Sequence, residues 1–192
     1  MAEDIGLKWD RKYQSKNIIT NSPSSVLTTN LHLLPDQGAA LDLACGPGGN
    51  ALVLAEKGLE TSAWDLSSVA LSHLSQTAKS RKLSISIAHR DVVNQPPDSN
   101  SFDVIVVSNF LERLLIPAII SALKNNGMIF YQTFTNQRVI HPAPVNPNYK
   151  LDPNELLRLF DPLTIKYYRE DGNSGDNKEF QGIAMMVAQK FI

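Results

Sequence analysis

A single cysteine, Cys45, stands in 192 residues, too few for an internal disulfide or for a zinc site built on thiolates. No apolar run approaches the roughly 18 residues that a membrane-spanning helix requires, so no membrane association is expected. Basic residues are not in excess either: 18 Lys and Arg stand against 19 Asp and Glu, for a formal charge of -1. A protein that gains affinity by neutralising nucleic-acid phosphates needs a basic face, so nucleic acid is not an expected partner. His32, His73 and His89 show no metal-ligand spacing, and no metal is expected. The opening Met1-Ala2-Glu3-Asp4 is acidic and leads into no apolar segment, unlike a secretory signal; a cytoplasmic protein is the expectation. Internal repeats and low-complexity tracts are also missing.

What is present reads as one globular domain. Hydrophobic residues make up 43% and charged residues 19%, ordinary values, and a chain of this length buries enough surface to need no cross-link. We expect residues 1–192 to form a single domain, with 1–37 as covering helices, 38–134 as a ligand-binding core, and 135–192 as a loop, a short helix and a closing hairpin. Residues 5–17 mix Leu7, Trp9 and Tyr13 with charges, which suits a helix lying across a surface. Ser22 as cap and Pro23 at the first helical position predict a second helix, its stripe of Val26, Leu27, Leu31 and Leu34 ending at Pro35.

From there strand and helix alternate. Strands are predicted at 39–43, 59–64, 85–88, 102–107 and 128–134, and helices at 50–57, 67–82 and, interrupted by Pro117, 111–124. Gly58 suits a left-handed helix stop, Asn126-Gly127 a turn, and residues 91–100 a loop. This alternation implies a parallel sheet with right-handed crossovers, an α/β, Rossmann-like doubly wound fold. The tail departs from it. Residues 135–150 form a proline-rich loop, 153–160 a short helix, and 163–169 and 181–188 two strands with no helix between them. These last two should close a seven-stranded, mostly parallel sheet as an antiparallel hairpin. One of Met185 and Met186 should pack in the core, and Glu112-Arg113 reads as a solvated pair at a helix start.

The run Asp42-Leu43-Ala44-Cys45-Gly46-Pro47-Gly48-Gly49-Asn50-Ala51 passes from a strand into a helix. Glycines there let backbone approach a ligand closely, and a helix amino terminus offers unpaired N–H groups. Gly46, Gly48 and Ala51 satisfy the dinucleotide pattern G-x-G-x-x-A, which alone is weak. Asp42 argues against a pyrophosphate, since like charges close together in a partly dry cleft repel; an acid suits a ligand with an ammonium or sulfonium head. Asp65 ends the second strand, placed either to hydrogen-bond the hydroxyls of a ribose or to cap the following helix. Asp91 closes the third strand, where it could meet the exocyclic amine of an adenine or cap a turn. Cys45 reads as a small packing residue.

With these residues in order, the chain resembles the class I S-adenosylmethionine-dependent methyltransferases. Asp42 through Gly48 looks like the first motif of that family, Asp65 falls on its ribose-binding acid, and Asp91-Val92 on its adenine-contacting pair. Phe102-Asp103-Val104-Ile105 and Gly127-Met128-Ile129 look like its fourth strand and the entry to its fifth. A closer likeness is to the tellurite-resistance and thiol methyltransferase-like branch. Trp9-Asp10-Arg11-Lys12-Tyr13 is similar to its W-D-x-[RK]-Y signature, and Gly49-Asn50-Ala51-Leu52 to its first helix. The resemblance implies S-adenosylmethionine as cofactor, with contacts from Tyr13, Asp42, Ala44, Gly46, Gly48, Asn50, Asp65, Leu66, Asp91, Val92, Ser108 and Asn109. Tyr13 would lie against the methionine part, or else serve with Trp9 as a packing anchor.

Methyl transfer from a sulfonium is an in-line displacement that positioning alone can largely promote. A thiolate acceptor needs little more, whereas a hydroxyl or amine usually needs a base. Ser108 and Asn109 follow the fourth strand, where the methyl group should point. The absence of prolines after them disfavours the nucleic-acid amino-methyltransferases. Arg138 and His141, in the loop after the fifth strand, are the candidates for binding an anionic acceptor or acting as base, or else loop surface. The implied acceptor is a small molecule, a thiol or a metalloid oxyanion. Two other readings stay open: an NAD(P)-dependent oxidoreductase, which lacks a Tyr-x-x-x-Lys pair here, and a non-catalytic cofactor-binding module.

Overall fold

A computed structural model describes residues 5–14, 22–137, 144–176 and 178–191. Its seven strands are β1 (Ala39–Leu43), β2 (Glu60–Asp65), β3 (Ile85–His89), β4 (Phe102–Ser108), β5 (Leu123–Phe134), β6 (Thr164–Glu170) and β7 (Ile183–Gln189). They form one sheet in the order β3-β2-β1-β4-β5-β7-β6. The first five run parallel, and β7 lies antiparallel to both β5 and β6. The strand order reverses between β1 and β4, which is where open sheets of this kind hold ligands beyond their carboxyl ends.

Among the described residues six α-helices accompany the sheet: α1 (Ile5–Gln14), α2 (Ser25–Thr29), α3 (Gly49–Glu56), α4 (Ser68–Ser80), α5 (Ile116–Ala122) and α6 (Glu155–Leu159). The continuous apolar run of β4 follows from burial on both faces. Val104 and Val106 pack with Val26, Leu27 and Leu54, while Ile105 and Val107 pack with Ile116, Ile119 and Leu156. A third cluster, with Cys45, Leu52, Leu71 and Leu74, seals α3 and α4 to each other. Among the described residues no helix is long and apolar enough to cross a membrane.

Several elements differ from their sequence expectations. The second helix starts at Ser25 and ends at Thr29, because the Ser24 hydroxyl donates to Asn50 Oδ1 instead of capping its own helix. Leu31–Leu33 continues only as a tighter turn, since the buried Asn30 side chain donates back to the Val26 carbonyl. The helix expected over 111–124 breaks as Pro117 demands but stops at Ala122. Asn126 does adopt φ 63°, yet the chain there is a bulge inside β5, where the pairing steps from Phe102–Leu123 to Val104–Met128. Met185 and Met186 are both fully buried: β7 is an interior strand, so its alternating side chains enter opposite cores.

Candidate functional site

Strand alternation decides where the first acid goes. In β1, Leu41 and Leu43 face the cluster containing α5 and α6, so Asp42 takes the opposite face with Ala40. There the chain returns as α3. Ala44, Gly46 and Gly48 have φ of 55°, 52° and 78°, and these left-handed turns reverse the chain between strand and helix. Gly48 occupies the helix N-cap and has no side chain to cap with. Asp42 performs that task from β1: its Oδ2 accepts the Ala51 N–H at 2.9 Å and its Oδ1 the Asn50 Nδ2 at 3.4 Å.

Asp65, at the end of β2, holds the same loop from the other side. Its Oδ2 accepts the Gly46 N–H at 2.7 Å and its Oδ1 the Ser67 N–H at 2.8 Å. Both carboxylates lie in a dry environment. Burial pushes Asp42 up to about 8, against the opposing pull of the Ala51 and Asn50 hydrogen bonds. Burial also raises Asp65, opposed by the N–H groups of Ser67, Gly46 and Leu66. The Cys45 thiol is pushed up by burial and by the two acids, which makes it an inert packing group.

Asn50 proves to be a junction. Its Oδ1 accepts from both the Ser24 N–H and the Ser24 hydroxyl at 2.8 Å, and its Nδ2 donates to Asp42 and, at 3.1 Å, to Ser108 Oγ. All four hydrogen-bonding positions of the amide are thereby used inside the protein. A second buried amide, Gln132 of β5, accepts the Val26 N–H at 2.9 Å. Sequence reasoning missed Ser24 and Gln132, because neither belongs to a motif and their meeting is purely tertiary. Asn109 follows β4 with φ 56° and donates its N–H to the Gln132 carbonyl at 2.8 Å. Tyr131 fixes the next residue, its hydroxyl donating to the Phe110 carbonyl at 2.9 Å.

The helix α1 covers this floor. Asp10 accepts from Ser67 Oγ (2.6 Å), Ser68 Oγ (3.0 Å) and the Val69 N–H (3.2 Å), an added cap for α4. Three residues on, Tyr13 stands over the glycine loop: a Cβ placed on Gly46 would lie 2.6 Å from its hydroxyl oxygen. Burial and the neighbouring acids push the phenol up, so it remains a protonated donor at neutral pH. Trp9 stacks on Tyr13 at 6.1 Å between ring centroids. Position over the loop and aromatic packing thus coexist in Tyr13.

The remaining candidates divide. The Leu66 carbonyl faces His89 Nε2 at 2.9 Å, and Val92 is buried in the main core. Asp91 caps its own turn, accepting from the Val93 N–H (3.0 Å), the Asn94 N–H (3.3 Å) and Asn94 Nδ2 (2.7 Å). Arg138 and His141 lie outside the described residues. Arg113 is not the solvated residue expected: it is tied to Glu155 and two carbonyls by four hydrogen bonds. Among the described residues, no three His, Cys, Asp or Glu side chains gather as metal ligands. A depression of about 610 Å³ lies at the amino ends of β1 to β3, near Gly58, Glu60 and Lys82, the end of the sheet opposite to the glycine loop.

Residues 40–127 match a protein family described as a methyltransferase domain. A probable S-adenosyl-L-methionine-dependent methyltransferase, TehB of Haemophilus influenzae, is 35% identical over 164 residues, covering 78% of this chain. The chain spans only 56% of that relative's length. The crystal structure of Haemophilus influenzae TehB superposes with a TM-score of 0.72 at 22% identity, over 95% of this chain and 67% of that one. Geranyl diphosphate C-methyltransferase from Streptomyces coelicolor, solved with S-adenosyl-L-homocysteine, gives 0.66 at 15% identity, over 85% and 73% of the two chains.

Proposed function

This chain belongs to the class I S-adenosylmethionine-dependent methyltransferase family, and on that premise we propose that it transfers a methyl group from S-adenosylmethionine to a small-molecule acceptor. The observation that carries the reading is the pair of carboxylates, Asp42 and Asp65, bracketing the glycine loop at the sheet's reversal point. Acids, amides and hydroxyls suit a cationic nucleoside better than a pyrophosphate. The cofactor, when bound, supplies an electrophilic methyl group on a positive sulfur.

The protein's own groups then divide the work. Asp65 holds the ribose hydroxyls, and Ala44, Gly46 and Gly48 present backbone to the methionine end, under the Tyr13 hydroxyl. Leu66, Asp91 and Val92 form the adenine side. Ser108 and Asn109 stand at the methyl end, with Ser108 held in place by Asn50. Asp42 lies wholly beneath the surface, so its influence on a positive charge is electrostatic and transmitted through the loop. The resemblance of the amino-terminal signature to the tellurite-resistance and thiol methyltransferase-like branch supports a soft acceptor, a thiol or a metalloid oxyanion, for which alignment suffices without a dedicated base. Arg138 and His141 are the acceptor-side candidates.

Calorimetry with S-adenosylmethionine, S-adenosylhomocysteine and NAD tests the cofactor, and a panel of thiols and tellurite tests the acceptor. Saturable binding of both sulfur ligands, no binding of NAD, and methylated product from at least one acceptor are expected. Binding of NAD alone would overturn the proposal.

A further inference from the structure

Arg113 opens the single helical turn Arg113–Leu115 that follows β4. Its guanidinium pairs in two-pronged fashion with Glu155 of α6, Nε to Oε1 at 2.6 Å and Nη2 to Oε2 at 2.9 Å. Nη1 also donates to the Asn148 carbonyl at 2.8 Å and Nη2 to the Lys150 carbonyl at 2.9 Å. Glu155 in turn accepts the Asp152 N–H at 2.8 Å. The same stretch is fastened to β5 on its other side. The Leu151 N–H donates to the Phe134 carbonyl at 2.8 Å, the Asn136 N–H to the Leu151 carbonyl at 2.9 Å, and Asn136 Nδ2 to Asp152 at 2.7 Å. Residues 146–152 are therefore strapped between the exits of β4 and β5. A groove of about 470 Å³, walled by Leu111, Leu114, Asn148 and Tyr149 among others, opens under the strap.

A partly exposed ion pair contributes little by itself. Four directed bonds from one planar group to a carboxylate and two carbonyls instead fix a geometry, which an ammonium cannot reproduce. We propose that Arg113 is a positioning residue for the acceptor: it holds residues 146–150 as the far wall of the groove that opens where the chain leaves β4, so acceptor recognition depends on it and cofactor binding does not. This rests on the methyltransferase reading above.

The variants R113Q, R113K and E155Q test it, with three measurements on each: S-adenosylhomocysteine affinity, amide hydrogen exchange, and methyl transfer to dithiothreitol and to tellurite. Affinity should stay within about twofold of wild type, while exchange at 146–151 accelerates roughly tenfold or more in R113Q. KM for whichever probe is methylated should rise about tenfold, with kcat falling less than about threefold. R113K should fail to rescue, and E155Q, which keeps both carbonyl contacts, should fall between. Unchanged exchange and KM in R113Q, full rescue by lysine, or loss of cofactor affinity in all three variants would each overturn the positioning role. A wild-type protein that binds no S-adenosylhomocysteine refutes the proposed function, and the exchange result then decides by itself whether Arg113 holds the strap. One that binds it yet methylates neither probe overturns the acceptor class and the acceptor-side role together.

Discussion

Asp42 sits wholly inside the protein with a carboxyl that burial holds protonated up to about 8. A positive sulfur nearby favours its ionised form, so binding S-adenosylmethionine below that pH should release a proton. Affinity for S-adenosylmethionine should then strengthen as pH rises from about 6 to about 8, relative to S-adenosylhomocysteine, which lacks the charge. Calorimetry of the two ligands across that range measures the ratio; Asp42→Asn should flatten it. Asp65 makes the second residue-scale prediction. Asp65→Ala should weaken S-adenosylhomocysteine binding by about one to two orders of magnitude, given charge-assisted bonds to ribose hydroxyls of roughly 1.5–3 kcal/mol. Unchanged affinity would remove Asp65 from the site. Both acids were legible in the sequence as strand-end residues flanking a glycine loop. Their engagement beneath that loop was not, because a capping carboxylate from a neighbouring strand leaves no local pattern.

At the scale of elements, α1 has no buried residue of its own, and two of its side chains reach the loop and helix beneath it. Asp10 ties it to the start of α4, and Tyr13 lies over Gly46. Asp10→Ala removes a capping interaction of about 0.5–2 kcal/mol, so the dissociation rate of S-adenosylhomocysteine should rise severalfold in stopped-flow measurements. Overall stability should change by no more than that cap. Trp9, Asp10 and Tyr13 all stand out in the sequence as a motif, but the capping of α4 by Asp10 does not, because its partners are met only in the fold. The second helix shows the opposite lesson. Ser22 and Pro23 offer a good local start, and Ser24 overrides it because Asn50, 26 residues away, offers its hydroxyl a buried acceptor. Arg113 departs from its sequence reading for the same reason: an arginine beside a glutamate in sequence reads as solvated until distant carbonyls arrive around it.

For the molecule as a whole, the titrations oppose one another in separate pH windows. Asp42 and Asp65 carry raised values in the folded state. The unfolded chain loses those protons near pH 4, so the folded state loses stability as pH climbs from there through the folded values. Asp10, Asp91, Asp103 and Glu155 are lowered, so their contribution is present above their unfolded values and is lost as pH falls through the folded ones. Urea midpoints should therefore peak in the acidic range, near about pH 4, and Asp42→Asn should reduce the decline on the alkaline side. The two methionines of β7 give a matching packing test: Met185→Ala and Met186→Ala should each cost about 2–5 kcal/mol in denaturant unfolding. They fill different cores, so the double variant should be nearly additive. Five strands and the three helices among them were readable from periodicity alone, whereas the two-sided burial of β7 was not, since its place between β5 and β6 is topological.

That placement governs the order of assembly. Among the described strands, β6 has β7 as its sole neighbour, so it can join the sheet only together with β7 or after it, and until β7 arrives the apolar margin of β5 is left open. A newly made or partly denatured molecule would present that margin to a strand from another copy, which makes the final hairpin the guard against self-aggregation.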